Sequence, residues 1–374
     1  MATLTFVSRR RIRELNWPLL VGSIAATAIG LFVIQSAGLH TAEAHTAYRK
    51  QAVYAVLGIG IMFGCSVVDY RIWRRIAPYL YGLNLAALLA ILVLPHTSHG
   101  AQRWIAIGPL IVQPSEPAKL FLAIAIAAML CRSDYRKLTD MWLPLLATAV
   151  PAILILKQPD LGTTLVIMAI LTAELYFGLR RIEDFLIYIG GLAAAATYVV
   201  SSHFLKPFQK ARLLVFLNPK IDPQGVGYSL NQSKIAVGNG QWIGRGWHQG
   251  TQTQLNFVPE HATDFAFTVL AEEFGFLGVV VLLALYVTIL VGGVQAMLAA
   301  RDRFSFLLAT GIVAMLCFHM IVNIGMTIGI MPITGIPLPF ISYGGSAIVT
   351  DFAAIGILLN IYAQKDRLIA RSEE

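Results

Sequence analysis

The segment QTQLNFVPEHATDF, residues 252–265, places carboxylates and a histidine directly before a long apolar run. That run starts at Phe265 and continues almost unbroken to Met297, so Asp264 stands where membrane would meet water. An ionisable side chain at a membrane boundary carries a desolvation cost. A functional role therefore explains the presence of Asp264 better than packing does. We therefore predict that Asp264 is a catalytic carboxylate that acts as a general base.

Composition predicts an all-α polytopic membrane protein. Of the 374 residues, 57% are hydrophobic and 13% are charged, a balance far from that of a soluble domain. A membrane helix needs about 20 mainly apolar residues, and the apolar runs lack the alternation that β-barrel strands require. About ten spans are predicted, at Trp17–Ala37, Tyr48–Val68, Ala77–Leu94, Pro114–Cys131, Trp142–Leu156, Leu161–Leu179, Asp184–His203, Asp264–Met297, Phe304–Ile330 and Ser346–Ala363.

Basic residues orient these spans, because Arg and Lys are retained in cytoplasmic connections. With ten spans, most of the dense basic clusters collect on one face, from Arg9–Arg13 at the start to Arg371 at the end. We expect both termini in the cytoplasm. The net charge of +8 then reflects topology and attraction to anionic lipid, and nucleic-acid binding is not expected.

The whole chain, residues 1–374, is predicted to form one membrane-embedded domain. Its long connection between spans seven and eight, residues 204–263, lies on the extracytoplasmic face in this topology. Apolar and aromatic residues recur from Phe208 to Phe216, which favours an amphipathic helix within that connection.

Three further charged residues stand at span ends on the predicted outer face. Glu116 and Lys119 are three apart, so they share a helix face and pair with each other or with a third group. Asp160 opens the sixth span, as an N-terminal cap or as a partner for Lys119. A structural duty is favoured for this group over direct chemistry.

Five segments of the chain resemble the SEDS family, the shape, elongation, division and sporulation proteins of bacteria. The rod-shape members are the most similar, chiefly through GTQTQLNFVPE, and the division members are the close competitors. The resemblance runs along nearly the whole chain in the family's order. Its segments are GAQRWIAIGPLIVQPSEPAKL at 100–120, KQPDLGTTL at 157–165, DPQGVGYSLNQSKIAVGNG at 222–240, GTQTQLNFVPEHATDF at 250–265 and VNIGMTIGIMPITGIPLPFISYGGSA at 322–347.

This resemblance implies a peptidoglycan glycosyltransferase that polymerises lipid II on the outer face of the inner membrane during cell elongation. Asp264 matches the family's essential aspartate, and His261 departs by one position from its usual place, so no family role is assigned to it. The other matched positions are Glu116 and Lys119, Asp160, Arg103 and Trp104, Arg49 and Arg212.

Such chemistry needs a base for the acceptor hydroxyl and positive charge beside the departing pyrophosphate. Base catalysis is worth roughly 10²- to 10⁴-fold and benefits from a carboxylate pKa raised by partial burial. Among the basic residues we favour Arg49 and Arg212, because Arg makes bidentate phosphate contacts. A divalent cation such as Mg²⁺ or Mn²⁺ held by Asp264, Glu260 and pyrophosphate is an alternative, and the metal is left open.

Broken backbone is predicted between the last two spans, in the Gly- and Pro-rich segment PITGIPLPFISYGG ending at Gly345. Irregular backbone at membrane depth is tolerated where it is buried in protein or lines a cavity. The segment is therefore either a phosphate-binding loop or a tightly packed re-entrant turn, and both interpretations stay open.

The resemblance also implies partners: a class B penicillin-binding protein that acts as transpeptidase, the polyprenyl chain of lipid II, and the cell-elongation complex. Two rival functions remain, a lipid II flippase and a non-catalytic scaffold of the cell-wall complex. A flippase needs access from both faces. The polar groups named above gather on one face, which favours the enzyme.

Overall fold

The computed structural model describes residues 15–37, 42–93, 103–107, 110–131, 138–202, 205–218 and 225–365. The basic clusters at the two termini, which contribute to the orientation prediction, lie outside these residues. Helices dominate the described chain, and one two-stranded antiparallel hairpin, which was not predicted, pairs Ile105 with Val112.

Ten long helices correspond one to one to the predicted spans. All thirteen helices and the two strands of the described residues are numbered in chain order. They are α1 (Trp17–Ala37), α2 (Ala42–Val67), α3 (Tyr70–Val93), β1 (Ile105–Ile107), β2 (Leu110–Val112), α4 (Ser115–Leu130), α5 (Trp142–Lys157), α6 (Leu161–Gly178), α7 (Ile182–Ser201), α8 (Pro207–Leu217), α9 (Val226–Asn239), α10 (Thr251–Gln254), α11 (Ala266–Leu298), α12 (Arg303–Ile328) and α13 (Gly345–Ala363). A 3₁₀ turn, Leu138–Met141, precedes α5.

Within the described residues, nine of these helices are long and apolar enough to cross a membrane. The tenth, α4, has 16 residues and would extend about 24 Å, whereas α5, of the same length, is lengthened to Thr139–Lys157 by the preceding 3₁₀ turn. Almost every side chain of α4 is buried, since it packs against α3, α6 and α12. A short helix is accommodated there because its neighbours, not lipid, surround it.

Pairs of adjacent helices build the bundle around one continuous apolar core. α13 packs along α2, α11 along α1, and α12 against both α6 and α11. α7 stands apart, with Tyr188 as its single buried residue. Connections alternate between two ends: the α7–α11 connection defines what we call the loop end, and residues 299–302 lie at the opposite end.

The α7–α11 connection is folded onto the loop end of the bundle. It contains α8, which confirms the helix predicted around residues 208–216, together with α9 and the single-turn α10. A second apolar cluster joins these helices to the ends of α11 and α12. Its members are Val215, Leu230, Ala236, Val258, Phe265, Met326 and Ile333.

The apolar run predicted as one unbroken span is interrupted in α11 at Gly275, which has φ 64° and ψ −161°. Backbone of residues 241–246 fills the break. The amides of Arg245 and Gly246 donate to the carbonyls of residues 272 and 273, while the amides of Phe276 and Leu277 donate to those of residues 241 and 242. A broken helix leaves such groups unpaired, so the loop replaces the missing helical hydrogen bonds.

Replacing Gly275 by Ala should destabilise the protein. A Cβ there would lie 2.7 Å from the Gly240 carbonyl oxygen, at a φ that side chains rarely adopt, with a strain cost of about 1–3 kcal/mol. Thermal unfolding in detergent measures the loss. Gly190→Ala in α7 is the matched control, because nothing lies within 4 Å of the place that its Cβ would occupy. Equal melting temperatures for the two variants would contradict the role given to the break.

Candidate active site

Asp264 sits in a turn just before α11, and its backbone is fixed from two sides. The amides of Thr263 and Phe265 donate to the Glu260 carbonyl at 3.1 and 3.2 Å, with Glu260 in the left-handed region at φ 53°. Asn323 of α12 donates its Nδ2 to the Asp264 carbonyl at 2.9 Å. Asp264 as a whole residue is half-buried, so the turn holds it in place without sealing it off completely.

Gly335 forms a wall shared by the Asp264 carboxylate and the Arg212 guanidinium. A Cβ added to Gly335 would lie 3.2 Å from Asp264 Oδ2 and 3.3 Å from Arg212 Nη1. Gly335 also has φ 74°, a conformation that favours glycine. The backbone therefore approaches both charged groups closely, and a larger residue would intrude between them.

Several charges act on Asp264. Loss of hydration raises its pKa to about 6, and the positive charge of Arg212 opposes that rise. Glu260 and Asp160 raise the pKa further, while Arg103 lowers it. A carboxyl with a pKa near 6 is ionised at neutral pH and still basic enough to accept a proton, as general base catalysis requires.

Arg212 reaches this site from α8. Burial lowers the pKa of Arg212, and the nearby Asp264 carboxylate counteracts that effect. The guanidinium also lies 6.0 Å from the centre of the Phe208 ring. Arginine remains charged even in such surroundings, so Arg212 brings a fixed positive charge to Asp264.

Arg103 and Asp160 are brought close to Asp264, yet both make structural bonds. Arg103 donates from Nε to the Gln158 carbonyl at 2.9 Å and from Nη2 to the Pro159 carbonyl. Asp160 caps α6, accepting from the Thr163 amide at 3.0 Å and its hydroxyl at 2.9 Å. Of the two roles considered for Asp160, the structure shows the cap.

Glu116 and Lys119 form a separate, sealed cluster. Lys119 Nζ lies 2.8 Å from Glu116 Oε2 and 2.9 Å from His319 Nε2, and all three side chains are buried. The pairing predicted from their spacing is therefore present, with His319 as the third group. Asp351, also buried, lies near enough to this cluster for the charges of Lys119 and Glu116 to act on its carboxyl.

Within the described residues, neither Arg49 nor Trp104 makes a hydrogen bond or an ion pair with Asp264. Arg49 is exposed in α2, and the described residues provide it with no hydrogen-bond or ion-pair partner. Trp104 is half-buried between Arg103 and β1. The structure thus places Arg212, Arg103, Asp160 and Glu260 around Asp264, and it does not place Arg49 among them.

Residues 329–344 are irregular, as expected for a re-entrant segment, and their later part is tightly packed. Amides of residues 338 and 341–344 all have protein acceptors: the Ser342 hydroxyl, the Leu338 and Ala262 carbonyls, and Gln51 Oε1. Those amides are not free to bind phosphate. For residues 338–344 the packed turn is the correct interpretation of the two that sequence left open.

Neither Asn323, His319 nor Asp351 was singled out from sequence. Each is a polar residue inside an otherwise apolar helix, which is the signal that could have identified it. A metal centre has no comparable support, since no group of three or more His, Cys, Asp or Glu side chains suited to a metal occurs in the described part of the chain.

A family comparison assigns this architecture. The model of the cell cycle protein family of FtsW, RodA and SpoVE matches residues 17–367. The chain belongs to this family. The resemblance to SEDS proteins is thereby confirmed.

Relatives and solved structures agree with this family membership. The peptidoglycan glycosyltransferase MrdB of Escherichia coli K12 is 37% identical over 83% of this chain and 84% of its own. RodA of Treponema pallidum is 31% identical over 95% and 99%. A crystal structure of Thermus thermophilus RodA superposes with a TM-score of 0.70 at 29% identity, covering 94% of this chain and 97% of that one.

A second solved structure comes from a peptidoglycan synthase complex that coordinates polymerization and crosslinking. Its matching chain has a TM-score of 0.80 and 31% identity, over 94% of this chain and 98% of that one. Both neighbours support a multi-pass helical membrane protein of the FtsW, RodA and SpoVE family.

Replacing Lys119 alone should destabilise the protein more than replacing Lys119 and Glu116 together. Lys119→Met leaves the buried Glu116 carboxylate unpaired, at an expected cost of about 3–5 kcal/mol. The double variant Glu116→Gln with Lys119→Met should regain most of that stability. Thermal unfolding of the two variants decides, and equal losses would show that the pair is not a coupled unit.

Replacing either of two charged neighbours of Asp264 should move the pKa of Asp264 from about 6, in opposite directions for the two replacements. Arg212→Ala removes the charge that favours the carboxylate, so the pKa should rise. Glu260→Gln removes a repelling carboxylate, so it should fall. Infrared titration of the protonated carboxyl band, assigned by its absence in Asp264→Asn, measures both shifts, and shifts in the same direction would contradict the site's electrostatics.

Proposed function

We propose that this chain is a peptidoglycan glycosyltransferase that polymerises lipid II during cell elongation and cell-shape maintenance, with Asp264 as general base. The observation that carries the proposal is that the Asp264 carboxylate and the Arg212 guanidinium both lie against the backbone of Gly335. Family membership supports it, because the relatives from Escherichia coli and Treponema pallidum are both peptidoglycan glycosyltransferases.

In the proposed step, an acceptor sugar hydroxyl attacks the anomeric carbon of the donor sugar. A new glycosidic C–O bond forms as the bond to the lipid pyrophosphate breaks, and the hydroxyl proton passes to Asp264. The departing pyrophosphate keeps the electron pair of the broken bond. One base and no covalent enzyme intermediate are sufficient, so direct displacement inverts the anomeric centre.

Arg212 suits the leaving group, because a fixed guanidinium favours negative charge that develops on a departing pyrophosphate. Its position beside Asp264 brings the base and the positive charge to one site. Arg103 adds positive potential from a residue already committed to two backbone carbonyls. Glu116 and Lys119 support the helices below the site, because their charges are already paired.

The same proposal fixes orientation and partners. The loop end faces outward, with residues 204–263 outside, both termini in the cytoplasm, and residues 1–374 acting as one membrane-embedded unit. A class B penicillin-binding protein is the proposed transpeptidase partner within a cell-elongation complex. Support comes from the structural neighbour taken from a complex that coordinates polymerization and crosslinking.

The decisive test is polymerisation of purified lipid II by the detergent-purified protein with its co-expressed transpeptidase. Asp264→Ala and Asp264→Asn should lose about 10²- to 10⁴-fold in rate, since neither side chain can accept the proton. Asp140→Asn makes the same chemical change on an exposed residue at the opposite end of the bundle and should match wild type.

Three results would overturn the proposal. Glycan polymer from both Asp264 variants at the wild-type rate would remove Asp264 as the base. Absence of polymer from every protein, while wild type moves labelled lipid II across vesicles, would favour the flippase. Absence of both activities, with the transpeptidase still bound, would favour a scaffold.

A further inference from the structure

Asn323 bridges two backbone segments that meet at the site. Its Nδ2 donates to the Asp264 carbonyl at 2.9 Å and to the Ile336 carbonyl at 2.7 Å. Asn323 is fully buried within α12, at 0% exposure. One side-chain amide thus ties the turn that carries the base to the re-entrant segment that walls it.

The side-chain oxygen of Asn323, Oδ1, indicates why an asparagine occupies this position. Asn323 Oδ1 is buried and has no hydrogen-bond partner among the described residues. An unsatisfied buried acceptor is destabilising, so packing alone would favour an apolar side chain. The two donated hydrogen bonds therefore account for this residue better than core packing does.

Ile336 directly follows Gly335, whose backbone lies against both Asp264 Oδ2 and Arg212 Nη1. Because the Asn323 amide binds the carbonyls of both Ile336 and Asp264, it fixes the Gly335 backbone relative to the Asp264 carboxylate. We propose that Asn323 is a positioning residue for glycosyl transfer, which sets the separation of the Asp264 carboxylate from Arg212. This inference rests on the proposed function of Asp264.

A second bond between the same two segments makes the inference testable without unfolding the site. The Tyr343 amide donates to the Ala262 carbonyl at 2.9 Å, independently of Asn323. Loss of the Asn323 amide should therefore loosen the arrangement around Asp264 while the turn and the re-entrant segment remain attached.

The chain offers a matched control in Asn360 of α13, which is also buried, at 4% exposure. Asn360 Nδ2 donates to the Ser66 carbonyl at 2.7 Å, and Oδ1 accepts from the Tyr70 amide at 3.0 Å. It bridges backbone segments as Asn323 does, but at the opposite end of the bundle. Asn360→Ala thus reports the general cost of losing a buried bridging amide.

The experiment compares Asn323→Ala, Asn323→Leu and Asn360→Ala in lipid II polymerisation with the transpeptidase partner. Both Asn323 variants should lose roughly 10- to 100-fold in kcat, with KM for lipid II changed less than about threefold, because small misplacements of catalytic groups are costly. Asn360→Ala should keep the wild-type kcat even where its melting temperature falls.

The pH dependence of kcat/KM separates positioning from stability. Charged groups facing Asp264 are Arg212, Glu260, Asp160 and Arg103. If the Asn323 variants let Arg212 move away, the carboxylate loses a favourable neighbour, and the acid limb of the profile should shift to higher pH. Asn360→Ala should leave that limb in place.

Three outcomes would overturn the inference: wild-type kcat in both Asn323 variants, an unchanged acid limb, or equal effects from Asn360→Ala. Failure of both Asn323 variants to fold, with Asn360→Ala folded, would assign Asn323 to bundle stability instead. Wild-type polymerisation by Asp264→Asn would instead overturn the proposed function. An inactive Asp264→Asn beside fully active Asn323 variants would overturn this inference alone.

Discussion

Backbone groups at membrane depth must find their partners inside the protein, and this requirement determines how the loop end is built. α11 breaks at Gly275, and residues 241–246 supply the hydrogen bonds that the break removes. Residues 338–344 leave helical geometry, and Gln51, Ala262 and their own side chains satisfy their amides. Each departure from helix is compensated by a defined neighbour, so irregular backbone here is as fixed as the helices.

Charge is distributed over two neighbourhoods with different properties. The surroundings of Asp264 leave it half-buried and contain charges of both signs. Loss of hydration there raises the pKa of the Asp264 carboxyl to about 6. The Lys119 neighbourhood is closed, and its ammonium is held by Glu116 and His319. A group that exchanges protons with a substrate must be reachable, which separates Asp264 from the buried pair despite their similar residue types.

Structural features that depend on composition or on regular residue spacing could be predicted from the sequence. The ten long helices of the described residues, the helix within the α7–α11 connection and the Glu116–Lys119 pair all follow from apolar length or from residue spacing. The break at Gly275 did not follow, because hydropathy is continuous through it. Arg49 was grouped with Arg212 because both are arginines suited to phosphate and both match family positions, whereas of the two only Arg212 acts on Asp264 in the structure. Hydrogen bonds between residues far apart in the chain, such as that from Asn323 to the Asp264 carbonyl, leave no local pattern in the sequence.

The turn that carries Asp264 is also restrained from its far side. Glu272, inside α11, accepts from the amides of Gln252 and Thr253 at 2.9 and 3.0 Å, and Glu273 accepts from Ser36 and Gln254. His261 Nε2 lies 2.8 Å from the Ala37 carbonyl at the end of α1.

Only nine residues separate Gln254 from Asp264, and both ends of that segment are fixed to α11 or α12. Catalytic groups must be held within about 0.5 Å of a productive geometry, which an exposed loop cannot ensure alone. The Glu272 carboxylate, which accepts two backbone amides, anchors the start of this segment, and Asn323 anchors its end. A partner that binds the α7–α11 connection would therefore act on Asp264 through a short segment anchored at both ends.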